Sequence, residues 1–216
     1  AIDIATCGDE AAVAILGDSI TDGRGSTTNG NDRWPDMLAE RLQADPSTRR
    51  VSLINAGIGG NALLSGGLGP TGLSRFRRDV LSARGIKWAV VLEGVNDIGS
   101  SDDPGIAVSL THAYERLIGM AHDALIRVYG IPILPFGGSH YDTAARREAR
   151  RRVNEWIRKS GWFDAVIDLD AVVGDPADPE RLDPACDSGD HLHLSPAGYR
   201  RMGEAFPLSL FVECRR

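Results

Sequence analysis

The sequence predicts an α/β fold, a parallel sheet with helices on both faces. Five short apolar runs recur along the chain, and stretches with apolar residues at helical spacing lie between them. The 216 residues contain no repeat, low-complexity tract or linker, so 1–216 reads as a single domain.

Each element has its own signal. Ala12 to Leu16 is short, apolar and stopped by Gly17, as a buried strand should be. Trp34, Met37, Leu38 and Leu42 follow at helical spacing. Val51 to Ile54 is the second strand, ended by Asn55-Ala56-Gly57; Phe76, Val80 and Leu81 mark a second helix, closed by Gly85. Ile86 to Leu92 is the third strand, apolar nearly throughout apart from Lys87. Leu110, Ala113, Leu117, Ala121, Leu125 and Val128 predict a long helix ending at Gly130. Ile131 to Phe136 is then the fourth strand, despite Pro132 and Pro135. Ala145, Ala149, Val153, Trp156 and Ile157 define the apolar face of a further helix. Arg146, Arg147, Arg150, Arg151 and Arg152 in that stretch read as its wet face. Ala165 to Leu169 is the fifth strand, and a Pro- and Asp-rich loop spans 174–190. Ser195-Pro196 opens the last helix, Ser as N-cap and Pro at the first helical position, with a break near Pro207.

Composition narrows the function. With 42% apolar and 25% charged residues, the chain is neither disordered, collagen-like nor a coiled coil. Thirty acidic against 24 basic residues give a net charge of -6, which argues against nucleic acid or an anionic membrane as the main partner. No apolar run approaches the ~20 residues of a membrane span. Cys7, Cys186 and Cys214 lack metal-site spacing, and their odd number allows one disulfide plus a thiol, or three thiols. The chain opens on Ala1 without Met or signal peptide, which reads as processing or trimming; localisation is left open, with a secreted or periplasmic setting favoured. Oligomeric state is left open. Many of the 25 glycines fall between residues 17 and 105, beside the apolar runs, which suggests sharp functional turns.

In such sheets the reactive groups lie beyond the carboxyl ends of the strands. The first strand ends in Gly17-Asp18-Ser19-Ile20, the second in Asn55-Ala56-Gly57-Ile58-Gly59-Gly60-Asn61, and the third in Glu93-Gly94-Val95-Asn96-Asp97. Asp190-His191-Leu192-His193 precedes the last helix. A serine at a strand-to-helix turn is by itself more often a cap. Acyl transfer needs more: a hydroxyl, a base within reach, an acid to orient the base, and donors for the oxyanion. Ser19, His193, Asp190, the Gly60 N–H and the Asn96 amide can supply all of these. The combination is far more specific than any member.

These blocks resemble those of the SGNH hydrolase, or GDSL esterase/lipase, superfamily. Gly17-Asp18-Ser19 matches its first block, Asn55 to Gly60 its Asn-Ala-x-x-x-Gly block, Gly94 to Asp97 its Gly-x-Asn-Asp block, and Asp190 to His193 its Asp-x-x-His block. The match runs in order from 17 to 193. The resemblance implies a flavodoxin-like three-layer α/β/α sandwich with a five-stranded parallel sheet. It also implies a serine esterase working through an acyl-enzyme without cofactor or metal. Ser19 is then nucleophile, His193 base, Asp190 its orienter, and Ser19, Gly60 and Asn96 the oxyanion donors. Short acyl or acetyl esters, some on carbohydrates, are the expected substrates, since aromatic residues are 6% and no long apolar lid interrupts the pattern. Lysophospholipid or thioester hydrolysis, which the family also performs, stays open, as does a non-catalytic ligand-binding domain.

Other readings are weaker. Ile20 stands where the family often has Leu, and Glu93 where many members have Gly; its carboxylate faces the pocket or an ion-pair partner. Gly57 to Ala62 fits a dinucleotide fingerprint, but the Gly-rich stretch after it is no helix, so NAD binding is not expected. Gly17 to Thr27 lacks the Gly-Lys-Ser/Thr of a phosphate loop, and no G-x-S-x-G occurs. His191 is the rival base, expected at the surface; His112 and His122 are structural, and His140 lies on the active edge. Asp18 is expected to hold the Ser19 loop and Asp97 the Asn96 turn. Trp34 belongs to the pocket or the core.

Overall fold

A computed structural model describes residues 10–212. Five strands form one parallel sheet in the order β2-β1-β3-β4-β5: β1 Ala11–Gly17, β2 Val51–Gly57, β3 Ile86–Leu92, β4 Arg127–Gly130 and β5 Ala165–Val166. Chain order reverses at β1, which pairs with β2 on one side and β3 on the other. That reversal opens a crevice beyond the carboxyl ends of β2, β1 and β3. Gly17 is in register with both Gly57 and Leu92, so the three ends finish level.

The helices are α1 Ser19–Asp22, α2 Trp34–Ala44, α3 Gly72–Phe76 continued by a π turn over Arg77–Leu81, α4 Val95–Gly99, α5 Ile106–Asp123, α6 Ala144–Lys159, α7 Leu169–Val173 and α8 Pro196–Glu204, followed by a 3-10 turn at Leu208–Phe211. α2 packs on α8 and α5 on α6, covering the two faces of the sheet. β1 is buried along its whole length, as a central parallel strand must be. Among the described residues no helix is long and apolar enough to cross a membrane.

The expected strands one to three stand as read, with β2 running on to Gly57. The fourth does not. α5 stops at Asp123, Leu125 adopts a left-handed φ of 59°, and Val128 lies inside β4 instead of in the helix. The stretch from Ile131 to Phe136 is irregular, because Pro132 and Pro135 have no N–H to give a ladder. Ile131 N–H still reaches Val91 O on β3 at 3.0 Å, and beyond it the backbone of Ile133 is satisfied from α6 instead. Ile133 N–H donates to Asn154 Oδ1 at 2.8 Å, and Ile133 O accepts from Asn154 Nδ2 and Arg150 Nε. Arg150 is therefore no part of a wet face. Only 3% exposed, it also reaches Asp170 and Glu180. Arg146, Arg147, Arg151 and Arg152 do lie outward, each in an ion pair. β5 is shorter than expected because the Asp168 side chain caps α7 by accepting from Ala171 N, turning Leu169 into a helix. Trp34 belongs to the core, fully buried and stacked 5.2 Å from Phe206. Cys186 is a buried free thiol; Cys7 and Cys214, on which any disulfide depends, lie outside the described residues.

Candidate active site

The turn after β1 is built for close approach. A Cβ on Gly17 would meet Thr21 Oγ1 at 2.1 Å, so only glycine lets α1 start there. Asp18 caps α1, its Oδ1 accepting from Ile20 N–H at 2.8 Å, and Ser19 is the first helical residue. Asp18 thus holds the Ser19 turn as expected.

Ser19 Oγ lies 2.8 Å from His193 Nε2. His193 Nδ1 lies 2.6 Å from Asp190 Oδ2. The spacing of three residues works because Asp190 folds back on its own chain, Oδ1 accepting from the N–H groups of Leu192 and His193 at 3.0 and 2.8 Å. Burial tends to raise the Asp190 pKa, but those hydrogen bonds and the imidazole outweigh it and hold it at about 2. Burial lowers the His193 pKa, against the pull of Asp190. The imidazole is thereby kept neutral, with one nitrogen free to accept the hydroxyl proton.

Gly60 stands at the end of the turn after β2 with φ of 71°, its carbonyl fixed by Leu68 N–H at 2.7 Å. Gly94 has φ of 111° and opens α4, which carries Asn96. Asn96 Nδ2 donates one hydrogen to Asn61 O at 2.7 Å, and its Oδ1 accepts from Tyr141 Oη–H at 3.0 Å. One amide hydrogen is left to donate elsewhere. Among the described residues, the N–H groups of Ser19 and Gly60 have no protein acceptor.

Asp97 does more than expected, and of the two readings of Glu93 the ion pair is the one observed. Asp97 accepts from Leu63 and Leu64 N–H at 2.8 and 2.7 Å, so it ties α4 to the loop after β2 and not merely to its own turn. Glu93 faces the interior: it is 1% exposed and pairs with the fully buried Arg75 guanidinium at 3.3 Å. Burial, then the neighbouring Asp18, pushes the Glu93 carboxyl well above its usual range. Asp18, also buried and near Asp97, is pushed up to about 7.

His191 is exposed, with φ of 62°, and its Nδ1 is held by Asp187 at 2.6 Å. His140 is exposed, with its ring 4.2 Å from that of Tyr141. His122 pairs with Asp164, and His112 faces outward on α5. Sequence reading missed Arg75, Asn61 and Tyr141. Arg75 also donates to Gly17 O, Ala56 O and Asn61 Oδ1, linking three strand ends. An Arg among apolar residues at helical spacing (Phe76, Val80) was the available signal. Tyr141, beside His140 in the loop after the fourth strand, offered only its position.

A hydroxyl, a neutral imidazole and a carboxylate in series, on the carboxyl edge of a flavodoxin-type sheet, can activate a nucleophile for hydrolysis. The protein is a hydrolase of the carboxylic ester class. The family model for the GDSL-like lipase/acylhydrolase family matches residues 15–201, and the chain belongs to that family. No curated protein matches it in sequence. Among solved structures, it is similar to a protein assigned to the G-D-S-L lipolytic family from Desulfitobacterium hafniense DCB-2, at 20% identity and TM-score 0.70 over 91% of this chain and 97% of that one. It is also similar to Est24, a carbohydrate acetylesterase from Sinorhizobium meliloti (15% identity, TM-score 0.68, 91% and 96% covered), and to TesA (21% identity, TM-score 0.69, 90% and 94% covered).

Proposed function

We propose that the chain is one catalytic domain that hydrolyses short acyl esters, acetyl esters of carbohydrates among them, through an acyl-enzyme on Ser19. The observation that carries this is the series Ser19 Oγ, His193, Asp190, with contacts of 2.8 and 2.6 Å. His193 takes the Ser19 proton as Oγ attacks the carbonyl carbon. The N–H groups of Ser19 and Gly60 and the Asn96 amide hold the oxyanion. His193 then protonates the leaving alcohol, and a water repeats the sequence to release the acid.

The substrate reading rests on the rim. Leu68 is the only large exposed apolar side chain that the described loops of the carboxyl edge present, too little to hold a long acyl chain. A fold relative that is a carbohydrate acetylesterase is in keeping with this. Nitrophenyl esters of increasing chain length, run beside acetylated sugars, should give the highest kcat/KM at two to four carbons. A maximum at long chains would overturn the substrate assignment. A fluorophosphonate probe should add once, at Ser19; folded protein without that adduct would sink the esterase reading.

Activity should also report the His193 environment. Only the neutral imidazole can accept the proton, so kcat/KM rises with pH through the folded-state pKa of His193. Burial lowers that pKa, so the acid limb should have its midpoint below the usual 6.5. Asp190 opposes the lowering, and Asp190→Asn should move the midpoint further down while reducing kcat. A limb centred above 7 in the wild type contradicts the assignment.

A further inference from the structure

The hydrogen bond from Tyr141 to Asn96 joins two segments 45 residues apart at the reaction edge. Its direction is fixed by the other end of the amide. Asn61 O is a pure acceptor, so the atom 2.7 Å away must be Asn96 Nδ2. Oδ1 therefore faces Tyr141, and the phenol must donate. With one end anchored on Asn61 and the other on Tyr141, the amide plane has a single orientation, and its second N–H is used by neither anchor. A hydrogen bond accepted at Oδ1 also draws electron density from the nitrogen and strengthens that N–H as a donor.

The ring of Tyr141 has a seat made for it. A Cβ on Gly99, at the end of α4, would come within 2.4 Å of the ring carbons Cγ and Cδ2. Glycine there lets the ring lie against the helix that carries Asn96, so ring and amide are set by one element. Burial, with Asp18 nearby, raises the phenol pKa and keeps its proton in place.

We infer that Tyr141, seated on Gly99, is a positioning residue that aims and polarises the Asn96 amide toward the oxyanion. The inference rests on the reading of Asn96 as an oxyanion donor. The phenol's one hydrogen is spent on Asn96 Oδ1, so the hydroxyl has no proton left to donate to the substrate and acts through the amide.

The test is a double-mutant cycle on a nitrophenyl acetate assay. Tyr141→Phe keeps the ring and removes only the hydroxyl, so kcat should fall about 3- to 10-fold, the size of one buried hydrogen bond, with KM within about twofold. Asn96→Ala should cost about 10²–10³ in kcat. In that background Tyr141→Phe should have no further effect. Gly99→Ala, which displaces the ring, should reproduce the Tyr141→Phe loss and not add to it. Affinity for a boronic acid, which forms a tetrahedral adduct on serine, should weaken in Tyr141→Phe by the same factor as kcat. A purely structural role would leave the kcat and boronate losses unmatched. If Tyr141→Phe costs as much with Asn96 absent as with it present, the positioning role is overturned and the oxyanion assignment stands. If Asn96→Ala leaves kcat unchanged, the oxyanion assignment itself fails and takes the inference with it.

Discussion

His193→Ala is expected to lower kcat by four to six orders of magnitude, roughly the cost of losing the base of a serine–histidine–aspartate series. His191→Ala, two residues away, should stay within about twofold. The contrast follows from how one short loop places its two imidazoles. Asp190 collects the N–H groups of Leu192 and His193 on one oxygen and His193 Nδ1 on the other, turning Nε2 toward Ser19. His191 takes a left-handed φ of 62° at the same turn, which sends its ring to the surface and onto Asp187. Single-turnover and steady-state rates on nitrophenyl acetate would measure both variants. Loss of activity in His191→Ala with retention in His193→Ala would exchange their roles.

What the sequence made legible is the part written in contiguous residues. Gly17-Asp18-Ser19, Gly94 to Asp97 and Asp190 to His193 each bring their own turn: Asp18 caps the helix that Ser19 opens, Gly94 supplies the left-handed start of α4, and Asp190 accepts from the N–H groups of its own loop. The strands that carry them are apolar runs with clear stops, and Gly17, Gly57 and Leu92 finish level in the sheet. Legibility failed where a group is satisfied across the fold. Ile131 to Phe136 is as apolar as a strand, yet at its centre the backbone of Ile133 bonds to Asn154 and Arg150 on α6. That arrangement also hid Arg150 within an otherwise solvated Arg cluster. Tyr141 and Asn96 stand 45 residues apart and Arg75 and Glu93 18, with no periodicity to link them. Local chemistry reads from the chain; the partners that orient it are set by topology.

Arg75→Met is expected to cost about 3–5 kcal/mol of unfolding free energy, the range for breaking a buried ion pair by removing one partner. The guanidinium is fully buried and donates to Gly17 O at 3.0 Å, Ala56 O at 2.6 Å, Asn61 Oδ1 at 2.9 Å and Glu93 at 3.3 Å. A thioether fills the space but donates to none of those acceptors; Gly17 O keeps the Ile58 N–H, while Asn61 Oδ1 and the Glu93 carboxyl lose the guanidinium. The loss should depend on pH, and its sign is fixed. Burial, with Asp18 adding to it, raises the Glu93 pKa in the folded protein, and Arg75 is the neighbour that pulls it down. Without Arg75 it rises further. A carboxyl with a folded pKa above its unfolded value favours the folded state below the unfolded value and loses that contribution as pH rises through the folded one. The gap between wild type and Arg75→Met should therefore stay constant through the ordinary carboxylate range and widen only as pH rises through the wild-type folded pKa of Glu93, which lies well above 4.5. Urea unfolding at pH 4 and at successively higher pH measures it, and Glu93→Gln in the Arg75→Met background should remove the widening. Equal stability of Arg75→Met and wild type at pH 7 would show that the three strand ends hold together without this guanidinium, and that the crevice owes its shape to the sheet alone.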